Sequence, residues 1–390
     1  MSHLHTPHVL WITERFYPDR GGLAQSCDRI VTALRSNGIT IDVLHLGRRG
    51  SFRQRQRANG TDYIVAVGND PPHTLAQLWP TLAAQHQAVP WQWVVAFGGQ
   101  LPLLAAPILA AWLRLPLLVC LRGNDFDVGI FSARQRPILY DALQRAAQVC
   151  VVSRDKAARI NALFPHIHPV YIPNGINVAE WQLLPSDQQR ATAWHAEHVA
   201  DGRRVIGLFG QLKAKKGGLL LLRAIRASGC AERLHLTIVG DIEPSLAAWL
   251  DTHAEALTWS YTPYIDHGDL PWRYASCDLV AVPSLYDGLP NVVLEAAALR
   301  VPLLAAAVGG MSDVLVDGEH GILFAPGDVH DCRLALTRAA LLDNATLQQY
   351  GAACHALVAD HLTHTCEAAA YRAIFEQPYE ATTTQASSTP

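Results

Sequence analysis

Short apolar runs alternate with stretches of helical periodicity along almost the whole chain, and this rhythm constrains the fold more than any other feature. The candidate strands are Val9–Thr13, Ile41–Leu46, Tyr63–Val67, Val94–Phe97, Leu117–Leu121, Val149–Val152, Val170–Ile172, Val205–Phe209, Leu234–Val239, Leu279–Val282, Leu303–Ala307 and Ile322–Phe324. The candidate helices include Leu23–Arg35, Ile138–Ala147, Gly218–Ala227, Leu246–Ala256, Val292–Leu299, Arg333–Leu342 and Leu347–Ala359. Nearly continuous apolar strands separated by helices predict parallel sheets that are covered on both faces.

The length of 390 residues favours two such domains. The stretch Ala179–Arg204 is richer in Gln, His, Asp and Arg and lacks strand-like runs, so we place the boundary there. We expect an N-terminal Rossmann-like domain over 1–183 and a C-terminal one over 203–363. A last helix at 364–379 is expected to pack back on the first domain, and the Ser/Thr-rich tail at 380–390 is expected to be disordered.

Composition narrows the class of protein. Half of the residues are hydrophobic and 17% are charged, which argues against extensive disorder. The net charge of −3 gives no overall electrostatic support for nucleic-acid binding. The eight cysteines are scattered without a CxxC pair, and the start of the chain does not resemble a signal peptide. These features predict a soluble, cytoplasmic protein with free thiols.

The apolar segment Leu101–Leu121 is about long enough to span a bilayer. It contains three prolines and Arg114, and a charge in the middle of a span is costly. We therefore predict a buried helix, a break, and a buried strand at Leu117–Leu121. This interpretation leaves peripheral contact with a membrane open.

The segment Pro283–Arg300, with the sequence PSLYDGLPNVVLEAAALR, is the most informative about chemistry. A strand ends near Pro283, and a helix begins near Asn291 after a loop that contains Gly288 and Pro290. The start of a helix offers free N–H groups and the positive end of its dipole, which suits a diphosphate. Gly288 would allow the backbone to approach a ligand closely.

Two carboxylates, Asp287 and Glu295, flank this helix start. A carboxylate can accept two hydrogen bonds from a sugar diol. As alternatives, Asp287 is a loop or capping residue and Glu295 is a solvated helix position. The apolar neighbours of Glu295 argue against a purely solvated position.

This segment resembles the E-x7-E region of glycosyltransferase family 4, whose members have the GT-B fold and usually retain anomeric configuration. The resemblance implies two domains that face each other across a cleft. It implies that Glu295 holds the nucleotide ribose and that Asp287, a shorter acid than the usual Glu, contacts the transferred sugar. It also implies that donor contacts come from Gly288, Leu289, Pro290 and Asn291.

The stretch Phe209–Gly217 resembles the G-R-L-x-x-x-K-G loop of the same family. Lys216 matches the lysine that binds the diphosphate, and Gln211 stands where Arg is usual. Lys213 or Lys215 is a candidate to supply the missing charge, since a departing pyrophosphate needs cationic neutralisation. The alternative is a solvated lysine cluster in a turn.

Two further segments match in order and spacing. Gly309–Asp313 resembles the G-G-x-x-E segment of the family, with Asp313 in place of Glu, and Cys277–Ser284 resembles its A-D-x-x-x-x-P-S strand. Together these matches extend over Val205–Asp328.

In the first half, Gly21 and Gly22 follow the first strand and precede a helix, as in the family's first glycine loop. The pattern is not GxGxxG, which weakens a dinucleotide-binding interpretation. An ordinary strand–helix turn is the alternative. Gly22 is accordingly expected to lie near the donor, and the acceptor is expected to bind on the same domain, near Gly22, Arg122 and Asp125.

The stretch Leu121–Asp127 matches a segment where many relatives carry H-G-x-D near the reacting sugar. Asp125 matches the family acid, and Arg122 replaces the histidine. An arginine is always charged and cannot act as a base, but it suits an acidic acceptor or a phosphate. Asp125 and Asp127 also form a D-x-D motif, which binds metal in a different glycosyltransferase fold, so no metal site is expected here.

These observations predict a metal-independent glycosyltransferase that uses no cofactor and moves a hexose from a UDP- or GDP-sugar with retention. Lys216, Asp287, Arg122 and Asp125 are the candidate catalytic residues. The acceptor is a sugar, a lipid-linked sugar or a small molecule, and nucleic acid is not expected. The alternatives are a nucleotide-sugar epimerase, a non-catalytic subunit of the same fold and an NAD-dependent dehydrogenase.

Overall fold

The computed structural model describes residues 6–47, 52–199, 202–253 and 257–377. The tail at 380–390, expected to be disordered, lies outside the described residues. The chain forms two compact units. Unit 1 comprises the described residues up to Val151, Ala157–Ile172 and those from Ala368 onward, and unit 2 comprises Val152–Lys156 and Pro173–Glu367.

The structure has the following regular elements. The strands are β1 (His8–Thr13), β2 (Thr40–Gly47), β3 (Arg53–Arg57), β4 (Gly60–Ala66), β5 (Trp93–Phe97), β6 (Leu117–Leu121), β7 (Gln148–Val151), β8 (Val170–Tyr171), β9 (Arg204–Phe209), β10 (Leu234–Val239), β11 (Thr258–Thr262), β12 (Leu279–Val282), β13 (Leu303–Ala306) and β14 (Gly321–Phe324). The helices are α1 (Gly22–Ser36), α2 (Pro71–Ala76), α3 (Trp79–Ala88), α4 (Gln100–Leu113), α5 (Asn124–Asp127), α6 (Arg136–Arg145), α7 (Arg154–Leu163), α8 (Pro185–His198), α9 (Gly218–Ser228), α10 (Pro244–His253), α11 (Leu270–Ala275), α12 (Asn291–Ala298), α13 (Gly310–Val314), α14 (Val329–Leu341), α15 (Asn344–Asp360) and α16 (His364–Phe375).

Unit 1 is built on a sheet with the strand order β3-β4-β2-β1-β5-β6-β7-β8. Its strands pair in parallel, except that β3 runs antiparallel to β4. Every residue of β1 and β5 is buried, because helices cover both faces of the sheet. The parallel, doubly covered sheet confirms the fold class predicted from the apolar runs.

Alternate residues of the central strands in unit 1 enter two cores. Leu10 and Ile12 pack with residues of α4 and α6 on one face. Val9 and Trp11 pack on the other face with residues of α1 and α16. Trp93 Nε1 donates a hydrogen bond of 3.3 Å to the carbonyl of Phe375 at the end of α16. The last helix therefore supplies part of the core of unit 1.

Unit 2 is built on a sheet with the order β11-β10-β9-β12-β13-β14, in which all strand pairs are parallel. The strand order reverses between β9 and β12, which are neighbours in the sheet but lie far apart in sequence. In open α/β sheets, ligands bind outside the carboxyl ends of the strands at such a reversal. The loops after β9 and β12 therefore occupy the position where a ligand site is expected in unit 2.

The segment Leu101–Leu121 forms a helix, a break and a strand, as predicted. Helix α4 ends at Leu113, the next residue Arg114 has a left-handed φ of 57°, and β6 follows. Within the part of the chain that the structure describes, no helix combines the length and the apolar character that crossing a membrane requires.

Several elements were not predicted from the sequence. Among them are the polar strand β3, the edge strand β11 and, within the expected boundary region, helix α8. Trp194 of α8 is buried in the core of unit 2, so this helix is part of that unit.

Candidate active site

Three loops meet at the carboxyl edge of the sheet in unit 2. They follow β9, β12 and β13, which are adjacent in the sheet. The amide of Leu285 donates to the carbonyl of Lys215 over 2.8 Å, and the amide of Gly310 donates to the carbonyl of Gly288 over 3.0 Å. These backbone bonds fix the β12 loop to its neighbours on both sides.

Two glycines allow this close approach. Gly217 has a φ of +69°, and a Cβ at this position would lie 1.8 Å from the carbonyl oxygen of Pro283. Gly309 has a φ of +56°, and a Cβ there would lie 1.9 Å from the carbonyl oxygen of Asp287. Any side chain at either position would push the loops apart.

The loop after β9 concentrates positive charge. Three of the four lysines of the chain lie between Lys213 and Lys216. Lys216 Nζ lies 2.5 Å from Asp287 Oδ2, and Lys215 Nζ lies 3.8 Å from Asp287 Oδ1. Lys213 is exposed. The structure thus brings together Lys216 and Asp287, which are 71 residues apart in sequence.

The Asp287 carboxylate is held in its charged form. Its side chain is only 13% exposed. Burial acts to raise the pKa of Asp287, but Lys216, Lys215 and a hydrogen bond from the Gly288 amide together hold the pKa below its ordinary value. The amide bond to Asp287 Oδ1 measures 3.1 Å.

Glu295 lies on α12 and is 7% exposed. The Tyr274 hydroxyl donates a hydrogen bond of 2.6 Å to Glu295 Oε2. Burial, and then the neighbouring Glu295 carboxylate, hold the pKa of Tyr274 well above its ordinary range, so the phenol remains a donor. Glu295 is therefore an oriented, buried carboxylate, and the solvated alternative does not describe it.

Tyr274 is a candidate site residue that sequence reasoning missed. Its ring is fully buried and stacks on Phe209 at a centroid distance of 4.0 Å. Tyr274 precedes Glu295 by 21 residues and belongs to a different helix, α11. No local motif joins the two residues, and only the packing of α11 against the sheet pairs them.

The start of α12 is tethered at its first residues. Pro290 has an extended conformation directly before Asn291, the first helical residue. The carbonyl of Leu289 accepts a hydrogen bond of 2.5 Å from Asn174 Nδ2. Gly288, Leu289 and Pro290 are buried. The amide end of α12 is thus held at the carboxyl edge of the sheet.

Gln211 lies in the loop after β9, where its carbonyl accepts a hydrogen bond of 2.9 Å from the Lys213 amide. Gln211 is exposed to solvent. Unit 2 therefore carries Gln211 and Lys216 after β9, and Asp287 and the start of α12 after β12.

The remaining candidate residues, Gly22, Arg122 and Asp125, lie in unit 1. Gly22 is the exposed first residue of α1, after the β1 loop. Strand β1 stands between β2 and β5, so the strand order of this sheet also reverses at that loop.

Asp125 closes the turn after β6. Its carboxylate accepts backbone hydrogen bonds from Arg122 at 2.7 Å, Gly123 at 2.8 Å and Phe126 at 3.0 Å. The Arg122 guanidinium lies 5.0 Å from the ring centroid of Phe97, and its Nη1 donates to the Tyr371 hydroxyl over 3.1 Å. Arg122 and Asp125 thus share one turn, and Asp125 fixes its backbone.

Comparison with known proteins assigns the family. Residues 20–180 match the family model described as Glycosyltransferase Family 4, and residues 203–343 match the model described as Glycosyl transferases group 1. The chain belongs to glycosyltransferase family 4. The two matched ranges contain all the candidate site residues, in the order expected for the family.

Individual proteins agree with this assignment. An uncharacterized glycosyltransferase of Methanocaldococcus jannaschii is 24% identical over 338 residues, which are 80% of this family 4 chain and 83% of that protein. Sucrose-phosphate synthase from Thermosynechococcus elongatus has a TM-score of 0.80 at 18% identity and covers 95% of this chain and 99% of its own. HepE of Anabaena, solved in complex with UDP and glucose, has a TM-score of 0.75 at 19% identity. The match covers 94% of this chain and 99% of the HepE chain. The fold is the GT-B fold.

The D-x-D motif of this family 4 chain consists of Asp125 and Asp127. Among residues 6–47, 52–199, 202–253 and 257–377, no group of three or more His, Cys, Asp and Glu side chains is placed to hold a metal ion. The cationic partners of Asp287 are the side chains of Lys216 and Lys215.

Proposed function

We propose that the chain transfers a hexose from a UDP- or GDP-sugar to an acceptor with retention of configuration, and that the donor binds at the carboxyl edge of the sheet in unit 2. One observation carries this proposal. Lys216 and the buried, oriented Glu295 flank the reversal of strand order between β9 and β12. HepE, which has the same fold, was solved with UDP and glucose, and this supports a nucleotide-sugar donor.

The cationic side of the site suits the leaving group. Charge develops on the diphosphate as the bond to the sugar breaks, and groups already oriented toward that charge stabilise it most. Lys216 supplies a full positive charge, and the eight-residue helix α12 presents its amide end at the same edge. We assign the diphosphate to these two features and to the loop amides at Gly288.

Glu295 suits a ribose diol. The bond from Tyr274 fixes the orientation of the carboxylate, and burial removes competition from water. A preoriented carboxylate binds two vicinal hydroxyls without paying the side-chain entropy that an exposed acid loses. Asp287, on the other side of the helix start, is assigned to the hexosyl group.

We assign the acceptor to unit 1, near Gly22 and the turn that carries Arg122 and Asp125. The acceptor is a sugar, a lipid-linked sugar or a small molecule. No protein nucleophile is assigned, and the departing phosphate takes the proton of the attacking hydroxyl.

Isothermal titration calorimetry with UDP and with GDP tests the donor site. We expect the wild type to bind one of them, and we expect Lys216→Met and Glu295→Gln each to weaken binding about 10- to 100-fold, since each removes a charge-assisted hydrogen bond. Arg233→Met and Glu319→Gln are matched controls, because both residues are exposed and lie in the same unit. These controls are expected to change the dissociation constant less than threefold.

Two results would contradict the proposal. In the first, the wild type binds neither nucleotide at millimolar concentration. In the second, Glu295→Gln folds and binds as tightly as the wild type.

A further inference from the structure

The carboxylate of Asp287 already forms an ion pair with Lys216, the lysine that the proposed function assigns to the diphosphate. Lys216 Nζ is 2.5 Å from Asp287 Oδ2, and Lys215 Nζ is 3.8 Å from Asp287 Oδ1. We propose that Asp287 is a specificity-determining residue that makes the site prefer the intact nucleotide-sugar to the nucleoside diphosphate product, by competing with phosphate for Lys216. This inference rests on the proposed function.

The competition is confined to side chains because the backbone around Asp287 is fixed. The carbonyl of Asp287 lies against Gly309, and the next residue, Gly288, accepts the amide of Gly310. Two residues earlier, the amide of Leu285 donates to the carbonyl of Lys215. The loop that carries the acid and the loop that carries the lysines are thus joined, so Asp287 cannot leave the site by moving its loop alone. A phosphate that binds Lys216 must share it with this carboxylate or displace it.

Charge makes this competition harder for the product than for the donor. The terminal phosphate of a free nucleoside diphosphate has a second pKa near 6, so at pH 7.5 the diphosphate carries about three negative charges. In a nucleotide-sugar the terminal phosphate is esterified, and the diphosphate carries about two. The Asp287 carboxylate remains ionised because the pKa of Asp287 lies below its ordinary value, and its low exposure limits screening of the repulsion.

Hydrogen bonding acts in the same direction. When phosphate takes Lys216, the partly buried Asp287 carboxylate loses its shortest bond. The hydroxyls of a hexosyl group can replace that bond, because each is a donor. A nucleoside diphosphate brings no such group, so its binding leaves the carboxylate under-bonded, which is unfavourable. Discrimination by penalising the wrong ligand is a common source of specificity, and here it would favour release of the product.

The test compares two ligands on one protein by isothermal titration calorimetry at pH 7.5. The probes are UDP with UDP-glucose, and GDP with GDP-mannose, and the pair that binds is carried forward. In the wild type we expect the nucleotide-sugar to bind at least tenfold more tightly than its nucleoside diphosphate. In Asp287→Asn, we expect the diphosphate to bind about tenfold more tightly than it binds to wild type. The ratio of the two dissociation constants is then expected to change by at least tenfold.

Two variants separate charge from other effects. Asp287→Glu keeps the carboxylate and is expected to keep the preference for the nucleotide-sugar. Asp251→Asn removes an exposed carboxylate from α10 in the same unit and is expected to leave both dissociation constants within twofold.

Several results would overturn the inference. In the first, the wild type binds the diphosphate as tightly as the nucleotide-sugar. In the second, the Asp287→Asn variant binds the diphosphate more weakly than the wild type does. In the third, this variant keeps the wild-type ratio of the two dissociation constants. The wild-type comparison needs no variant to fold. A wild type that binds neither ligand pair would overturn the proposed function itself, and this inference with it. Binding of both ligands without discrimination would leave the proposed function intact.

Discussion

At the scale of single residues, two glycines at the ends of α9 have the same φ of +69° and very different surroundings. Gly217 precedes the helix, and a Cβ there would lie 1.8 Å from the carbonyl oxygen of Pro283. Gly229 follows the helix, and a Cβ there would meet no atom within 4 Å. The pair separates the cost of a left-handed conformation from the cost of holding two loops together.

We predict that Gly229→Ala lowers the free energy of unfolding by about 1–2 kcal/mol, the cost of placing alanine in the left-handed region. Gly217→Ala is expected to cost about 1–3 kcal/mol more, because the added methyl group forces the β9 and β12 loops apart. Urea denaturation at equal protein concentration measures both. Equal losses of stability in the two variants would show that the loops are not held in contact.

The same loops show what the sequence could and could not predict about the site. Lys216, Asp287 and Glu295 each match a family motif, so their presence could be predicted residue by residue. Their partners could not. The bond from Tyr274 to Glu295 joins two helices, and the ion pair of Lys216 and Asp287 joins two loops, because the strand order places β9 beside β12.

At the scale of elements, strand β3 has the polar sequence RQRQR and carries no apolar alternation. It forms because it pairs antiparallel with β4 at the sheet edge, where its first four residues are exposed and Arg57 is partly buried. The buried strands of both units, by contrast, could be predicted from their apolar runs. Sequence pattern reports burial, so it identifies central strands and misses an exposed edge.

The β3–β4 edge is anchored by a buried ion-pair network. Asp62 on β4 is 2% exposed and accepts bonds from Arg35 Nη2 at 2.9 Å and from Arg57 Nε of β3 at 2.7 Å. Arg35 is also buried and also donates to the carbonyl of Ile41 on β2. The Asp62 carboxylate therefore connects helix α1 with strands β3 and β4, and Arg35 links all three to strand β2.

We predict that Asp62→Ala lowers the free energy of unfolding of unit 1 by about 3–5 kcal/mol, because it leaves the buried Arg35 charge uncompensated. The control is Asp141→Ala, which breaks an ion pair with Arg145 that is similarly short, 2.6 Å, but half exposed. That change is expected to cost less than about 1 kcal/mol. Thermal and urea denaturation measure both variants. A loss of stability in Asp62→Ala no larger than that of the control would contradict the role given to this network.

At the scale of the whole molecule, acid is expected to weaken unit 2 through His235. The imidazole is 3% exposed, and its Nε2 lies 3.1 Å from Ser260 Oγ. Burial, and then the nearby His198, Arg203 and His195, lower the pKa of His235 to about 4 from the ordinary 6.5. Between these values the unfolded chain binds a proton at this site that the folded unit does not bind.

The free energy of unfolding should therefore fall as pH decreases from 6.5 to 4, and the stabilisation should be complete above pH 6.5. Urea denaturation at half-unit pH steps measures this slope. We expect His235→Gln to reduce the slope, and His361→Gln, which replaces an exposed histidine of the same unit, to leave it unchanged. An identical slope in wild type and His235→Gln would contradict the assignment.

The position of α16 in the core of unit 1 has a consequence for biosynthesis. Tyr371 is fully buried, with its ring 5.8 Å from that of Trp11, and Phe375 lies 5.9 Å from Trp93. The ribosome releases Trp11 and Trp93 early but releases their partners only after all of unit 2 has been synthesised. Until then, the apolar surface of unit 1 that α16 covers remains exposed in the nascent chain. A translation stop shortly before Tyr371 would therefore leave a product prone to capture by chaperones and proteases.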